Sequence, residues 1–447
     1  MTRRRSLRGF TLIELAIALM AGLIVAMGIV ALSREATRTF HEEVRSAAAE
    51  ATLRTAIDRL RADIQRAGFM STANIVADPL LARPPGSTAP PGNPNCAKFG
   101  TICSLAAVHV TDGGSVALAP LSTVQTPALA PDWIDIAGNM TSVEQFEVQA
   151  VLPVVSGQCQ RILLSQSSAA YARVAVGGSP AKDLQNMFAP DSASQFIVRV
   201  VDDTGRSQFL ATCLSCTTAN TTAGLDGVQP FICVDPSTQV QNAKATGNVG
   251  GVSGFGSGRA WVNPVQVVRW QIMAATSEPA VFQIGLGTQA FGGVVDPNKY
   301  DLVRAYVGMD GNIIQNTMEV VAEYAVDLDF AFSFETGTPT QSASQTYSFG
   351  VTHNTNLVEW TATTLSAAVL AGAIPERLRS VRVRLATRVA QPDRSVDITS
   401  DAGAFIYRYC VNASGCTNLV DPNVPQWART RTITTEVSLP NLEMDFY

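Results

Sequence analysis

The sequence predicts an α+β protein in which one long N-terminal helix precedes an antiparallel, β-rich globular head. Three observations support this fold class. Residues 10–32 form an almost uncharged apolar run, and residues 33–67 continue it as an amphipathic stretch without Pro or Gly. The rest of the chain, residues 68–447, contains segments in which apolar and polar residues alternate, a pattern typical of half-buried strands.

The apolar run is long enough to cross a membrane. At ~1.5 Å per residue it makes a helix of roughly 35 Å, against a hydrocarbon core of ~30 Å. Four arginines precede it: Arg3, Arg4, Arg5 and Arg8. They predict that the N-terminus stays in the cytoplasm and that the head lies on the far side. One carboxylate, Glu14, interrupts the run, although a charge in this position costs a few kcal/mol, about 3 on insertion scales.

Three general interpretations account for a basic and apolar N-terminus. The first is a secretory signal that is cleaved after the run, for which Ala31-Leu32-Ser33 is an acceptable site. The second is a plain membrane anchor. The third is a twin-arginine signal in residues 2–8, although Ser6 stands where a Phe is usual. Composition alone favours the cleaved signal.

The residues around Gly9 favour a more specific interpretation. Arg8-Gly-Phe-Thr-Leu-Ile-Glu-Leu15 resembles the processing motif of type IV prepilins. The resemblance implies that residues 1–9 are a leader, that a prepilin peptidase cuts between Gly9 and Phe10, and that Phe10 becomes N-methylated. It also implies that Glu14 pairs with the N-terminal amine of a neighbouring subunit. Such a charge is compensated only when the partner arrives, so the residue favours assembly in one register.

Residues 33–67 predict a continuation of the same helix. Ala, Arg and Glu dominate, and apolar residues recur in steps of three and four with one slip. These residues are Phe40, Val44, Ala48, Ala51, Leu53, Ile57, Leu60 and Ile64. We therefore expect one helix from Phe10 to Ala67, on the order of 85 Å long, with Gly68 as its stop.

The head is predicted to consist mainly of strands. In Val326–Phe334 one face carries Val326, Leu328, Phe330, Phe332 and Phe334, and the solvated face carries Asp327, Asp329, Ala331 and Ser333. Residues 379–388 alternate similarly, and further strand candidates are 144–152, 195–201, 264–273, 301–307 and 430–439. Turn signals at Asp202–Gly205 and Met309–Asn312 separate some of them. Residues 83–95 and 245–258 are predicted to be loop insertions, because they are rich in Pro and Gly or in Gly and Ser.

Composition argues against several functional classes. Without the leader the chain has 28 basic and 37 acidic residues, a formal charge of −9, so nucleic acid is not an expected partner. The three histidines, His41, His109 and His353, accompany no nucleophile elbow and no zinc-protease motif. Asp296, Asn298 and Asp301 lack the ligand spacing of a calcium loop and are interpreted as a polar turn. We therefore expect no catalytic residue, cofactor or metal site.

All eight cysteines follow the apolar run, which favours disulfides on the non-cytoplasmic side. Short spacing favours the pairs Cys96–Cys103 and Cys410–Cys416. The pairing of the other four, Cys159, Cys213, Cys216 and Cys233, stays open. A redox or zinc role for Cys213-Leu-Ser-Cys216 is the alternative, but no βαβ context and no neighbouring histidine supports it.

Four further segments are similar to those of the W family of type IV minor pilins. They are Asp63–Phe69, Glu319–Tyr324, Ile374–Leu385 and Thr432–Asn441, where Pro440 replaces the usual Arg. The resemblance implies a type IV pilin-like fold. The stretch from about 85 to 265 resembles no part of that family.

The resemblance implies a minor pilin that primes type IV pilus assembly and stays near the pilus tip, serving adhesion and twitching motility. Its implied partners are other minor pilins, the major pilin, the prepilin peptidase, the inner membrane and, as a further candidate, a tip adhesin. The head would lie in the bacterial periplasm and then at the cell surface. Two alternatives remain open: a J-type pseudopilin of type II secretion, and a secreted or anchored periplasmic enzyme with an ordinary signal peptide.

Overall fold

The structure is a computed structural model that divides into two compact units, Met1–Ala51 and Thr52–Tyr447. It describes residues 11–75, 78, 80–82, 98–111, 131–152, 154, 159–214, 222–238, 240, 259–277, 299–335, 344–346, 378–392, 408–410 and 427–442. The predicted loop insertions, 83–95 and 245–258, lie outside the described residues.

The predicted long helix is present as α1, which runs from Leu12 to Gln65. Its 54 residues correspond to about 80 Å at ~1.5 Å per residue. The predicted apolar stripe divides into two parts. Leu53, Ile57, Leu60 and Ile64 are buried, whereas Phe40 and Val44 are exposed.

Among the described residues, eleven strands form the larger sheet, and every pairing between them is antiparallel. They are β1 (Val108–Thr111), β2 (Trp133–Gly138), β3 (Phe146–Val151), β4 (Gln160–Leu164), β5 (Ile197–Asp202), β6 (Ser207–Ala211), β7 (Ala223–Asp226), β8 (Gln229–Val234), β9 (Ala260–Ala274), β10 (Tyr300–Tyr306) and β11 (Glu319–Ala322). Three short helices accompany them: α2 (Gly100–Cys103), α3 (Ala169–Val176) and α4 (Pro180–Phe188).

A second sheet has the strand order β13-β12-β14-β16-β15 and is also antiparallel. Its strands are β12 (Ala325–Glu335), β13 (Ser344–Thr346), β14 (Leu378–Arg388), β15 (Arg408–Cys410) and β16 (Trp427–Ser438). All seven strand predictions are confirmed, since they fall on β3, β5, β9, β10, β12, β14 and β16.

The long strand β9 joins two hydrophobic cores. Its C-terminal part pairs with β2 and β10 and belongs to the helix core, in which the buried side chains of α1 pack with those of β1, β2, β10, β12, β14 and β16. Its N-terminal part pairs with β3 and β5 and belongs to the second core, which is built from β3, β4, β5, β8, α3 and α4. The second core therefore comes from the part of the chain that resembles no pilin segment.

One strand prediction is wrong in its details. The face of β12 that carries Asp327 and Asp329 is buried instead of solvated. The reason is Arg384 of β14, whose Nε lies 2.7 Å from Asp327 Oδ2 and whose Nη2 lies 2.7 Å from Asp329 Oδ2. Two buried carboxylates are tolerated here because one guanidinium binds both.

Candidate functional site: the helix start and the helix–head junction

The start of α1 is closed by a reciprocal pair of side chains. The backbone N–H and the hydroxyl of Thr11 both donate to Glu14 Oε2 at 3.0 Å. The backbone N–H of Glu14 donates in return to Thr11 Oγ1 at 3.3 Å. This arrangement is a capping box, which satisfies backbone donors that the first helical turn leaves unpaired. Glu14 thus has hydrogen-bond donors within its own chain, while Gly9 and Phe10 lie outside the described residues.

The apolar segment after the capping box is fully exposed. Every described residue from Thr11 to Thr37 is exposed to solvent, including thirteen leucine, isoleucine, valine and methionine side chains. By length and composition this part of α1 can cross a membrane. An apolar surface of this extent is stable only against lipid or against other apolar helices.

The C-terminal half of α1 is attached to the head through Asp63. Trp270 of β9, which is fully buried, donates its indole N–H to Asp63 Oδ2 at 2.9 Å. Arg304 of β10 donates from Nε to the same oxygen at 2.7 Å. One carboxylate of the helix therefore binds two neighbouring strands of the larger sheet.

A second ion pair lies on the surface beside the first. The Arg59 guanidinium donates from Nη2 to Glu319 Oε2 at 2.7 Å and from Nη1 to Oε1. These hydrogen bonds hold the pKa of the Glu319 carboxyl below its usual range. Both side chains are close to half exposed, so the pair orients β11 along α1 but contributes little stability.

The chain reverses immediately after α1, and two glycines make the reversal possible. Gly68 adopts a φ of +73° and donates its N–H to the carbonyl of Ala137 at 2.8 Å. At Gly138 a β-carbon would overlap the carbonyl oxygen of Arg66. Arg66 in turn donates from Nη1 to the carbonyl of Met140 at 2.7 Å. The helix thus ends at Gln65, two residues before the predicted Ala67, and Gly68 lies in the turn that follows, with β2 packed directly against the end of the helix.

The C-terminal segment of the chain also binds the end of α1. Asn441 donates from Nδ2 to the backbone carbonyl of Gln65 at 2.8 Å. Leu442 covers Gly68, where a β-carbon would lie 2.8 Å from Leu442 Cδ2. A carbonyl that the helix end leaves unpaired is thus satisfied by a residue 376 positions away.

Segments that carry the pilin resemblance therefore meet at one place. Residues 63–69 contain Asp63 and the chain reversal, residues 319–324 contribute Glu319, and residues 432–441 contribute Asn441. The described part of the fourth segment lies in β14, whose apolar residues share the helix core with α1. Their meeting at the junction is a structural reason for the occurrence of these segments in one chain.

The four cysteines whose side chains the structure describes form disulfides, as predicted, and one open pairing is now assigned. Cys159 is bonded to Cys213, with Cα atoms 6.3 Å apart. Cys103 and Cys233 are disulfide-bonded as well. Since Cys213 is bonded to Cys159, it does not form the Cys213–Cys216 pair that the redox alternative needs. Cys96, Cys216 and Cys416 lie outside the described residues, as does the side chain of Cys410, so Cys96–Cys103 and Cys410–Cys416 stay predictions.

The remaining residues considered for catalysis or metal binding do not form a site among the described residues. His41 is exposed on α1, His109 lies in β1, and His353 is outside the described residues. Asp301 does not belong to a polar turn: it is buried in β10 and lies 3.0 Å from the Lys299 ammonium. Among the described residues no group of three or more His, Cys, Asp or Glu side chains is arranged to hold a metal ion. No model of a protein family, no characterised protein and no solved structure matches this chain.

Proposed function

We propose that the protein is a minor pilin of the type IV pilus machinery, similar to the W family. The observation that carries the proposal is the sequence Arg8–Leu15 placed directly at the start of a 54-residue helix. The helix supports it in two further ways. Its first part is apolar on all sides, and its last part is packed into an antiparallel β-rich head.

In this proposal the protein is a substrate of the prepilin peptidase and not an enzyme itself. Cleavage after Gly9 leaves the apolar segment on the mature chain, where it anchors the subunit in the inner membrane with the head in the periplasm. Together with other minor pilins, the subunit then primes assembly of the major pilin and stays near the pilus tip. The junction at Asp63 attaches the last turns of α1 to the head.

Glu14 has two sets of partners in this mechanism. Before assembly its carboxylate is held by Thr11, which lowers the cost of carrying a charge in the apolar segment. In the assembled complex the methylated amine of a neighbouring subunit becomes an additional, charged partner. The pairing is stronger than the capping box because both groups are ionised and shielded from water.

The N-terminus of the mature protein tests the proposal. The full-length chain is expressed with and without a prepilin peptidase, and its N-terminal peptide is identified by mass spectrometry. We expect a chain that begins at N-methylated Phe10 with the peptidase and an uncut chain without it. Replacement of Gly9 by Val should leave the precursor uncut, since the peptidase must approach this backbone closely. A mature chain that begins at Arg34 would show an ordinary secretory signal and would refute the proposal.

A further inference from the structure

Two cavities of the head share one wall residue, Asp310. The first has a volume of about 340 Å³ and is lined by residues of α2, β1, β2 and β9. The second has a volume of about 540 Å³ and lies between residues 191–195 and residues 308–316. The turn 308–312, in which Gly311 has a φ of +81°, places Asp310 where the two cavities meet.

The polar groups of the first cavity are held in fixed positions. Asp135 binds the Arg269 guanidinium through two hydrogen bonds, at 2.7 and 2.8 Å, and the ring of Trp133 stacks 3.9 Å from it. Burial lowers the pKa of His109, so its imidazole is neutral at pH 7. Fixed donors and acceptors of this kind bind a ligand without a loss of side-chain freedom.

The same groups are not arranged for catalysis. Ser104, His109 and Asp135 all line the first cavity. However, Ser104 Oγ donates to the carbonyl of Gly100 at 2.9 Å, and His109 Nδ1 lies 3.9 Å from Asp135 Oδ2, beyond hydrogen-bond distance. A working triad needs the carboxylate to orient the imidazole, and here Asp135 orients Arg269 instead. The first cavity is therefore suited to binding.

The second cavity is rich in carboxylate and amide groups. Asn312 donates to Asp310 from its backbone N–H at 3.1 Å and from Nδ2 at 2.8 Å. These bonds lower the pKa of Asp310, which stays ionised at neutral pH. The amides of Gln315 and Asn316 lie exposed at the same wall. Carboxylate oxygens accept strong hydrogen bonds from hydroxyl groups, and amides both donate and accept.

The charges of the walls limit the ligand class. Arg269 is neutralised by Asp135, and Lys98 is neutralised by Asp235 at 3.0 Å. The other two carboxylates have neutral partners: Asp310 accepts from the Asn312 amide, and Asp191 accepts from Ser194 Oγ at 2.6 Å. The walls therefore carry a net negative charge that repels phosphate, sulfate and uronate groups. An extended peptide is also disfavoured, since such peptides add to a strand edge and these walls consist of side chains and a turn.

We propose that the two cavities form one binding groove for a neutral oligosaccharide, with Asp310 between two sugar positions. Each cavity has room for one sugar ring, and the shared carboxylate can accept hydrogen bonds from hydroxyls of both. The apolar residues Leu105, Val267 and Ile314 also line the cavities, and each is almost fully buried. The groove belongs to the head alone and does not depend on pilus assembly.

The test uses the full-length chain in a zwitterionic detergent, because maltoside detergents would occupy a sugar site. The protein is applied to arrays of neutral oligosaccharides of glucose, galactose, mannose and N-acetylglucosamine. Sialylated and sulfated glycans and a library of extended peptides are printed beside them. We expect retention by at least one neutral series, and at least tenfold weaker binding of that series by Asp310→Asn.

Two further variants separate lost binding from misfolding. Asp203→Asn changes an exposed carboxylate in the turn 202–205, away from both cavities, and should bind within twofold of the wild type. Ala193→Trp fills the second cavity from an exposed position without a change of charge and should also lose binding, with an unchanged thermal unfolding midpoint. The proposal is overturned if the wild type retains no neutral glycan or prefers charged glycans or peptides. It is also overturned if Asp310→Asn and Ala193→Trp both bind as the wild type does.

Discussion

At its N-terminal end α1 satisfies its own backbone, whereas at its C-terminal end other segments of the chain do so. Thr11 and Glu14 are three residues apart and cap the first turn without help. In the last turn the carbonyls of Asp63 and Ile64 accept from nearby backbone N–H groups, but that of Gln65 accepts from Asn441, which is 376 positions away, and Gly68 in the reversal donates to β2. The first end can form in isolation, and the second forms only when the head folds around it.

The side chains of the two halves show the same contrast. From Leu53 onward the leucine and isoleucine residues of α1 are buried in the helix core, while the large apolar residues between Leu12 and Leu32 are exposed. The second half packs one face against strands of the head, so its sequence needs to be apolar on that face only. The first half is apolar all round because its partners, in the proposed function, are lipid and then the helices of other subunits.

The largest effect is expected at the junction. Asp63→Ala removes the acceptor of Arg304 and Trp270, and side chains of the Asp63–Arg304 pair are only 13% and 15% exposed. Breaking a buried pair leaves an uncompensated charge, so we expect a loss of about 3–5 kcal/mol in the free energy of unfolding. Urea titration of the full-length chain, followed by tryptophan fluorescence, measures the loss.

Glu319→Ala is the matched control. It removes the carboxylate of a pair between the same helix and the adjacent strand, but Arg59 and Glu319 are 43% and 46% exposed. We expect a loss of no more than about 1 kcal/mol. Equal losses in the two variants would contradict the view that burial at Asp63 holds the helix to the head.

The second core is expected to depend on its disulfide and not on α1. The bond Cys159–Cys213 closes a loop between residues 54 positions apart. Its removal in a Cys159→Ala, Cys213→Ala variant should cost about 2–4 kcal/mol, because the unfolded chain gains freedom. Hydrogen exchange should show lost protection in β4 and β8 and unchanged protection in the last two turns of α1.

Non-reducing peptide mapping supplies the control for that variant. The wild type should yield the Cys159–Cys213 linkage and, by the spacing prediction, Cys96–Cys103 and Cys410–Cys416. Free thiols at the last four positions would refute the spacing prediction. Lost protection in α1 equal to that in β8 would show that the two cores unfold as one.

Some of this contrast could be predicted from the sequence. The helix α1 and seven strands follow from local periodicity, because each pattern lies within the element that it predicts, although α1 ends at Gln65, two residues before the predicted Ala67. The capping box was also visible as Thr-x-x-Glu, but the resemblance to a processing motif gave Glu14 another role and the spacing was not used. The helices α3 and α4 were missed; Ser168, which caps α3, and Pro180 at the start of α4 were their signals.

Other features could not be predicted because they depend on distant residues. Asp63 meets partners 207 and 241 positions away, and no local pattern identifies them. The buried face of β12 was misjudged for the same reason. Alternation indicates that the two faces differ, but Arg384 of another strand decides that the acidic face is buried too.

A smaller effect on stability is expected when the pH is lowered, because the surface ion pair between Arg59 and Glu319 is then lost. The pKa of Glu319 is lower in the folded chain than its usual value, because Arg59 donates to the carboxylate. The pair therefore stabilises the fold above the unfolded pKa of ~4.3, and this contribution is lost as the pH falls through the lower folded pKa.

Comparison with Glu319→Gln isolates that contribution. We expect the free energy of unfolding of the wild type to exceed that of the variant by less than about 1 kcal/mol at pH 7, with a smaller difference at pH 3. Urea titrations at both pH values measure it. A difference that grows in acid would contradict the assigned sign.

The smallest effect on the folded chain is expected at the N-terminal end of α1, and there the test concerns assembly. Glu14→Ala removes both the capping carboxylate and the charge, whereas Thr11→Val removes the capping hydroxyl and keeps the charge. Each should cost the helix start about 1 kcal/mol and leave unfolding of the head unchanged. If capping were the only role of Glu14, the two variants would behave alike in every assay.

We expect them to differ when they are purified with other minor pilins at matched expression. Thr11→Val should be recovered in the complex within twofold of the wild type, because its carboxylate can still bind a neighbouring amine. Glu14→Ala should be recovered at least fivefold less, although both variants insert in the membrane and are cut after Gly9. Equal recovery of the two would leave Glu14 as a cap alone. In the assembly, as in the single chain, the carboxylate of Glu14 would then bind only to Thr11 of its own chain.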